Sequence, residues 1–240
     1  MKTFIKTGFA SLLLLLAISC KKESNTIQSS ATTDNSLTGT LLTDVNGVAG
    51  DNAIGIGTQR WRTQNLDVSR YNNGDKIPEV RSAAKWAALT TGAWCWYKND
   101  SANGAIYGKL YNWYAVNDPR GIAPAGWHIP TNAELDTLSA FLGGQAVAGG
   151  KLKETGTTHW LTPNTDASDS SGFAGLPGGS RASNGTFDVL NILGSYGGFW
   201  SSTADGSLNA LNHYLLYNNG TFNFKSYRKQ NGFSVRCVRD

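Results

Sequence analysis

Charged side chains are scarce in this sequence, and their scarcity bears on which partners it can have. Asp, Glu, Lys and Arg make up 16% of the 240 residues, whereas typical soluble proteins contain about 25%. The formal net charge is +4; without residues 1–19, which hold two lysines and no acid, 19 basic residues face 17 acidic ones and leave +2. So small a positive charge attracts polyanions only weakly. We therefore expect no nucleic-acid partner.

Motifs of catalysis and cofactor binding are missing as well. The three histidines, His128, His159 and His213, lack the spacing of metal ligands. The sequence contains no serine nucleophile elbow, phosphate-binding loop, complete dinucleotide-binding fingerprint or internal repeat. It therefore predicts neither an enzyme nor a bound cofactor. Asp166 and Asp169 are the best candidates for holding a calcium ion, although loop aspartates more often cap turns.

Cysteine is rare too, and the first of the three cysteines follows an apolar segment. Lys2 and Lys6 precede an apolar run over residues 9–18, which is too short for a membrane span of about 20 residues. This order is typical of a secretory signal peptide. The residues up to Cys20 resemble a bacterial lipobox, in which the cysteine becomes the acylated first residue of the mature chain. We expect a signal peptide over residues 1–19 and a lipid anchor in the outer membrane, facing the periplasm or the cell surface. Ordinary cleavage that leaves a spare thiol is the alternative.

The segment after this cysteine is polar and has no hydrophobic period. Residues 20–42 are interpreted as the lipidated cysteine with a flexible stalk, and residues 43–240 as one folded domain. In an exported domain, Cys95 and Cys237 are expected to form a disulfide. Two buried free thiols are the alternative.

Two local patterns predict secondary structure clearly. Thr131 and Glu134 have the spacing of a capping box, and leucines follow on one face of the predicted helix. Near the end of the chain, turn residues separate segments rich in aromatic and β-branched residues. These predict a three-stranded antiparallel sheet, with strands at residues 211–217, 221–227 and 233–238.

Several segments occur in a distinctive order: "IGTQRWRTQNLDVSRYNNGDKIP", "GAWCWYKND", "YGKLYNWYAVND", "APAGWHIPTNAELDTL", "SGFAGLPGGSR", "GFWSST" and "GFSVRCVRD". Together they resemble the Fibrobacter succinogenes major paralogous domain over about residues 43–240. The resemblance implies an exported protein, often a lipoprotein, and no established activity.

A more distant resemblance concerns the fold. "GWHIPTNAELDTL" and "GFSVRC" are similar to the helix start and the closing strand of the formylglycine-generating-enzyme group. This similarity implies an α+β, C-type-lectin-like domain with short helices, a small twisted antiparallel sheet and extensive ordered loops. The enzymes of that group use two late cysteines, and here only Cys237 lies late in the chain. A formylglycine-generating-type enzyme is therefore the least favoured function.

The late part of the chain combines aromatic side chains with Asn, Ser and Arg, as adaptable binding surfaces do. We expect a lectin-like binding module for a glycan or an envelope protein, with a structural subunit of an adhesin or envelope assembly as the alternative. Core packing of these aromatic residues, of Trp200 above all, is the competing interpretation. The predicted ligand-binding residues are Trp200, Ser202, Asn212, Tyr214, Tyr217, Tyr227 and Arg228.

Overall fold

Short strands and helices, joined by long loops, make up the domain. The computed structural model describes Met1 and residues 52–187 and 192–239, and those from residue 52 onward belong to one compact unit. The helices are α1 (Ala83–Ala87), α2 (Ser101–Tyr107), α3 (Trp113–Val116), α4 (Asn132–Phe141) and α5 (Gln145–Leu152), with a 3-10 turn at Tyr97–Asn99. The strands are β1 (Ala53–Ile56), β2 (Gln59–Arg62), β3 (Trp94–Cys95), β4 (Leu110–Tyr111), β5 (Trp127–His128), β6 (Tyr196–Asp205), β7 (Asn209–Leu216), β8 (Asn223–Arg228) and β9 (Val238–Arg239).

The strands form three small antiparallel sheets. One sheet has the order β1-β2-β9-β5, a second pairs β3 with β4, and the third has the order β6-β7-β8. The domain combines short helices with antiparallel sheets, so the fold class is α+β, as the sequence predicts. Strand β9 lies between strands from the start and the middle of the domain, and it closes the chain onto its own beginning.

The prediction that residues 233–238 form the third strand of the late sheet is wrong. Strands β7 and β8 do pair, but their third partner is the upstream strand β6 and not the segment 233–238. That segment runs through the interior, where residues 231–238 are all buried. The Phe233 ring packs against Trp200 and Tyr227, with centroids 4.8 and 4.9 Å apart. The Phe233 ring therefore covers one face of the sheet, and beside it Ser234 forms only an isolated parallel bridge with Phe199 at the edge of β6.

Helix α4 begins where its sequence predicts. The Thr131 hydroxyl accepts a hydrogen bond from the Glu134 backbone N–H, and the Glu134 carboxylate accepts one from the Thr131 backbone N–H, which completes the capping box. Leu135, Leu138 and Leu142 are buried against one of the apolar clusters of the core. A local side-chain pattern thus fixes both the start of this helix and its inward face.

The predicted disulfide is not formed. Cys95 and Cys237 are both buried free thiols, which is the alternative interpretation of the sequence. They belong to different apolar clusters: Cys95 packs with Trp86 and Leu110, and Cys237 packs in the cluster that contains Tyr111. Burial raises the pKa of each thiol to about 12, so neither is a ready thiolate.

Buried cations hold the loops together. Arg181 is 1% exposed, and its guanidinium donates to the carbonyls of Val80, Arg81 and Gly185 at 2.5, 2.7 and 2.8 Å. Arg236, equally buried, donates to the carbonyls of distant chain segments and to the Asn65 side chain. Because no strand pairing satisfies these loop carbonyls, the cations supply the hydrogen bonds that burial requires.

Lys153 is the third cation of this kind. It is fully buried, and its ammonium donates to the carbonyls of Thr165, Leu216 and Asn219 at 2.7, 2.9 and 2.9 Å. All three donors of the ammonium are therefore used. Burial lowers the pKa of Lys153 to about 8, and the negative charge of Asp166 partly opposes this shift. The contact fastens the loop after α5 to the end of β7 and the following turn.

His213 is a buried neutral side chain. Its Nε2 lies 2.8 Å from the Asn132 Oδ1, and its ring packs between Phe222 and Phe224. Burial lowers the pKa of His213 to about 4. The imidazole therefore resists protonation in the folded protein and packs as a neutral side chain of the sheet.

The predicted signal peptide (1–19), Cys20 and the stalk (20–42) lie outside the described residues, apart from Met1. None of the helices among the described residues combines the length and the apolar character needed to cross a membrane.

Replacing Arg181 tests the role of the buried cations. Arg181→Met keeps most of the side-chain volume but removes the Arg181 donor from the carbonyls of Val80 and Gly185 and leaves the Arg81 carbonyl with only the longer bond from Asn99. We expect the free energy of unfolding, measured by urea denaturation, to fall by about 3 kcal/mol or more. The exposed Arg228→Met should change it by less than about 0.5 kcal/mol. Equal effects of the two variants would contradict the role given to Arg181.

The His213 pKa predicts how stability depends on pH. Since its pKa is lower in the folded chain than in the unfolded one, the unfolded state binds more protons between about 6.5 and 4. The contribution of His213 to the free energy of unfolding is fully present above pH 6.5. It falls by about 3 kcal/mol in total as the pH is lowered to 4. Denaturation curves of His213→Gln should show a shallower loss over this interval. Parallel pH profiles of the two proteins would refute the prediction.

Candidate functional site

The candidate site is the open part of one face of the β6-β7-β8 sheet. Residues in register share a face, so Trp200 of β6, Asn212 of β7 and Lys225 of β8 point to the same side. Phe233 covers this face at Trp200 and Tyr227. Beyond Phe233 the sheet is uncovered, and side chains from all three strands border a groove.

The groove is small and aromatic. Its volume is about 310 Å³, and its lining residues are Ser195, Tyr196, Tyr214, Leu216, Tyr217, Asn218, Lys225 and Tyr227. The rings of Tyr196 and Tyr214 are stacked, with centroids 5.2 Å apart and an interplanar angle of 21°. Tyr214, Tyr217 and Tyr227 are half-buried, so each combines a packed edge with accessible surface. Such a site offers ring faces that are already fixed in place.

A glycine makes the position of Tyr196 possible. A Cβ atom on Gly198 would lie 2.4 Å from a ring carbon of Tyr196, so a side chain there would displace the ring. The Tyr196 hydroxyl donates to the Asn212 Oδ1 at 2.7 Å, and Asn212 is fully buried. The hydroxyl end of the Tyr196 ring therefore lies over the bare glycine and is held there by the buried amide.

One wall of the groove depends on Lys153. The ammonium binds the carbonyls of Leu216 and Asn219, and these residues flank Tyr217 and Asn218 of the groove lining. The Tyr217 backbone N–H donates to the Ser195 carbonyl at 3.1 Å, which joins this wall to the start of β6. The turn after β7 has the composition of a loop, and these contacts hold it in one conformation.

The sequence-predicted ligand residues divide into three groups. Tyr214, Tyr217 and Tyr227 are brought together in the groove. Trp200 and Asn212 are fully buried, so neither presents surface to a ligand; the Trp200 indole donates to the Tyr111 carbonyl at 2.9 Å. Trp200 therefore packs in the core, as the competing interpretation of the sequence predicted.

The remaining two predicted residues lie away from the groove. Ser202 borders a separate cleft and donates through its backbone N–H to the Pro130 carbonyl at 2.8 Å. Arg228 is exposed at the end of β8 but does not line the groove. Of the seven residues predicted to bind a ligand, the three tyrosines therefore line the groove and the other four do not.

Sequence reasoning missed five residues of the lining: Ser195, Tyr196, Leu216, Asn218 and Lys225. Lys225 stands two residues before Tyr227, and the period of two in a strand puts it on the same face. That signal was available in the sequence. Tyr196 carries no comparable signal, because only the register with β7 places its ring beside Tyr214.

A second, apolar cleft is bordered by Ser202 of β6 and by residues from the middle of the domain. It has a volume of about 390 Å³ and is lined mainly by Val116, Ile122, Trp127 and Ile129, with His128 at its rim. The His128 Nε2 lies 2.7 Å from the Glu134 Oε1. Burial acts to raise the pKa of Glu134, but hydrogen bonds from Thr131 and His128 outweigh it and lower that pKa. The carboxylate is thus committed to capping α4.

Metal-binding geometry is absent from the described part of the chain. No group of three or more His, Cys, Asp or Glu side chains there is placed to hold a metal ion. The Asp169 carboxylate accepts a hydrogen bond from the Ala174 backbone N–H at 2.8 Å, and burial raises its pKa. This is the turn-capping role that the sequence offered as the alternative to calcium.

The comparisons with known proteins identify the family. The chain matches the family model of the Fibrobacter succinogenes major domain over residues 54–239. No curated protein and no solved structure is significantly similar to the chain. Since the matched segment covers well over half of the sequence and contains both the groove and the buried cations, the protein belongs to the Fibrobacter succinogenes major domain family.

Proposed function

We propose that the protein is a binding module of the cell envelope that holds a glycan in the groove formed by Tyr214, Tyr217 and Tyr227. The observation that carries this proposal is the meeting of these three tyrosines, from two strands and a turn, around one concavity. Alternate positions of β7 and β8 supply two of them, and the turn fastened by Lys153 supplies the third.

The chemistry of the groove suits a sugar. Tyrosine provides a flat apolar face for the C–H side of a sugar ring and a hydroxyl for its polar edge, at low cost in side-chain entropy. Ser195 and Asn218 add hydrogen-bonding groups to the lining. Ligand sites have volumes of about 300–1,000 Å³, and the groove, at about 310 Å³, suits one or two sugar rings.

The finer features of the fold and the location belong to the same proposal. Short helices, small antiparallel sheets and long ordered loops support a C-type-lectin-like arrangement. The amino-terminal pattern supports lipidation at Cys20 and an outer-membrane location, facing the periplasm or the cell surface. A domain on a stalk would then present its groove to glycans of the envelope or its surroundings.

A structural subunit of an envelope assembly is the second candidate. It is favoured by an apolar cleft of about 530 Å³ bordered by Ile56, Ala140 and Phe141. The Phe141 side chain is 64% exposed, and exposed apolar surface of this kind marks protein contacts. A protein partner would therefore bind at Phe141, away from the tyrosine groove.

Removing two tyrosines tests glycan binding. A glycan array with residues 40–240 should identify bound sugars, and calorimetry should measure them. Tyr214→Ala with Tyr217→Ala should weaken binding by about tenfold or more, since truncated contact residues cost over 1 kcal/mol. Phe224→Ala is the matched control, because Phe224 is an exposed aromatic residue on the opposite face of β8. Unaltered affinity of the double variant would contradict the proposal.

Lipidation is tested by metabolic labelling with a fatty-acid analogue. The wild-type protein should carry the label and sediment with membranes. Cys20→Ala should lose the label and become soluble, because acyl chains supply the membrane affinity. Ser24→Ala serves as the control and should behave like the wild type. Label that persists in Cys20→Ala would exclude this residue as the anchor.

A further inference from the structure

We infer that the groove selects acidic glycans and places a sugar carboxylate, as in a uronic acid, beside Lys225. This inference rests on the proposed glycan-binding function and adds the chemical class of the ligand. It differs from what the near-neutral composition of the chain suggests, because the charge of the groove is set locally.

The first observation is an unmatched cation. Lys225 is the one charged side chain among the residues that line the groove. It is exposed, and its ammonium lies 5.5 Å from the centroid of the Tyr227 ring. Within residues 52–187 and 192–239 no carboxylate forms an ion pair with it. The aromatic contact orients the ammonium over the groove and leaves its charge unneutralised.

The second observation is an unmatched donor directly across the strand pair. Asn212 faces Lys225 in the register of β7 and β8 and is fully buried. Its Oδ1 is occupied by the Tyr196 hydroxyl, but its Nδ2 has no hydrogen-bond partner among the described residues. Asn212 does not line the groove, so its unpaired N–H makes no contact with a ligand and acts only by adding positive potential beneath this face of the sheet.

The third observation concerns the surrounding charges. Behind the wall of the groove, the Lys153 ammonium binds the Leu216 and Asn219 carbonyls. The Asp166 carboxylate interacts with Lys153 and lies beside Gly220, so it is already engaged there. Asp205 lies opposite Asn209, at the far end of the sheet. The groove therefore has one unpaired cation, Lys225, and no acid in its lining.

These features specify the ligand. The lining carries one unpaired cation and no acid, which complements a ligand group that bears negative charge and accepts hydrogen bonds, as a carboxylate does. The stacked tyrosines require a ring next to that group. A uronic acid supplies both within one residue.

The experiment compares two probes of the same sugar. Trigalacturonate carries free carboxylates, whereas its methyl ester is neutral, and calorimetry measures the binding of each to residues 40–240. We expect the acid to bind about tenfold more tightly than the ester at low salt, and less so as salt is added. Lys225→Gln should abolish the preference, and Lys225→Arg should retain it. Arg228→Gln, which removes an exposed cation outside the groove, should leave it unchanged.

The outcomes separate the two proposals. Equal affinity for acid and ester would overturn the inference of acid selectivity while leaving glycan binding intact. A preference that survives in Lys225→Gln would overturn the role of Lys225. If a glycan array finds only neutral ligands, acid selectivity is wrong; if it finds none, the proposed function itself fails.

Discussion

The ammonium of Lys153 joins parts of the chain that strand pairing does not bring together. Its three carbonyl partners belong to the loop after α5, the end of β7 and the turn before β8. Because a buried ammonium is stable only when its donors are satisfied, the loop and the turn must adopt the conformation that meets it. That conformation places Tyr217 and Asn218 at the groove. The hydrogen bonds that Lys153 makes in the core therefore also shape the candidate binding site.

The same solution recurs at Arg181 and Arg236. Each guanidinium is buried and takes backbone carbonyls as partners, and the carbonyls come from segments far apart in the sequence. A domain with short strands and long loops leaves many carbonyls without a ladder partner. Buried cations satisfy several of them at once, which explains how a chain with two free thiols and few regular elements keeps its loops ordered.

Local patterns were predictable from the sequence, whereas long-range partners were not. The capping box at Thr131 depends on residues three apart, and the tyrosines of β7 and β8 depend on strand alternation, so both could be predicted. The absence of a bond between Cys95 and Cys237 could not be predicted, because the sequence does not show that the two residues join different apolar clusters. Phe233 was predicted in a strand because its neighbours favour one, yet it covers the sheet. The roles of Tyr196 and Asn212 depend on the register between β6 and β7, which the sequence does not show.

Hydrogen exchange tests most directly the central claim, that Lys153 fixes the wall of the groove. In Lys153→Met, the amides of Thr165 and Tyr217, which bond to the Tyr217 and Ser195 carbonyls, should lose protection, while those of the β1–β2 hairpin keep it. Lys151 lies at the end of α5, two residues before Lys153, and donates one bond to the Leu142 carbonyl; Lys151→Met should leave both amides protected. Unchanged protection at Thr165 and Tyr217 in Lys153→Met, or a loss spread evenly over the domain, would contradict the account.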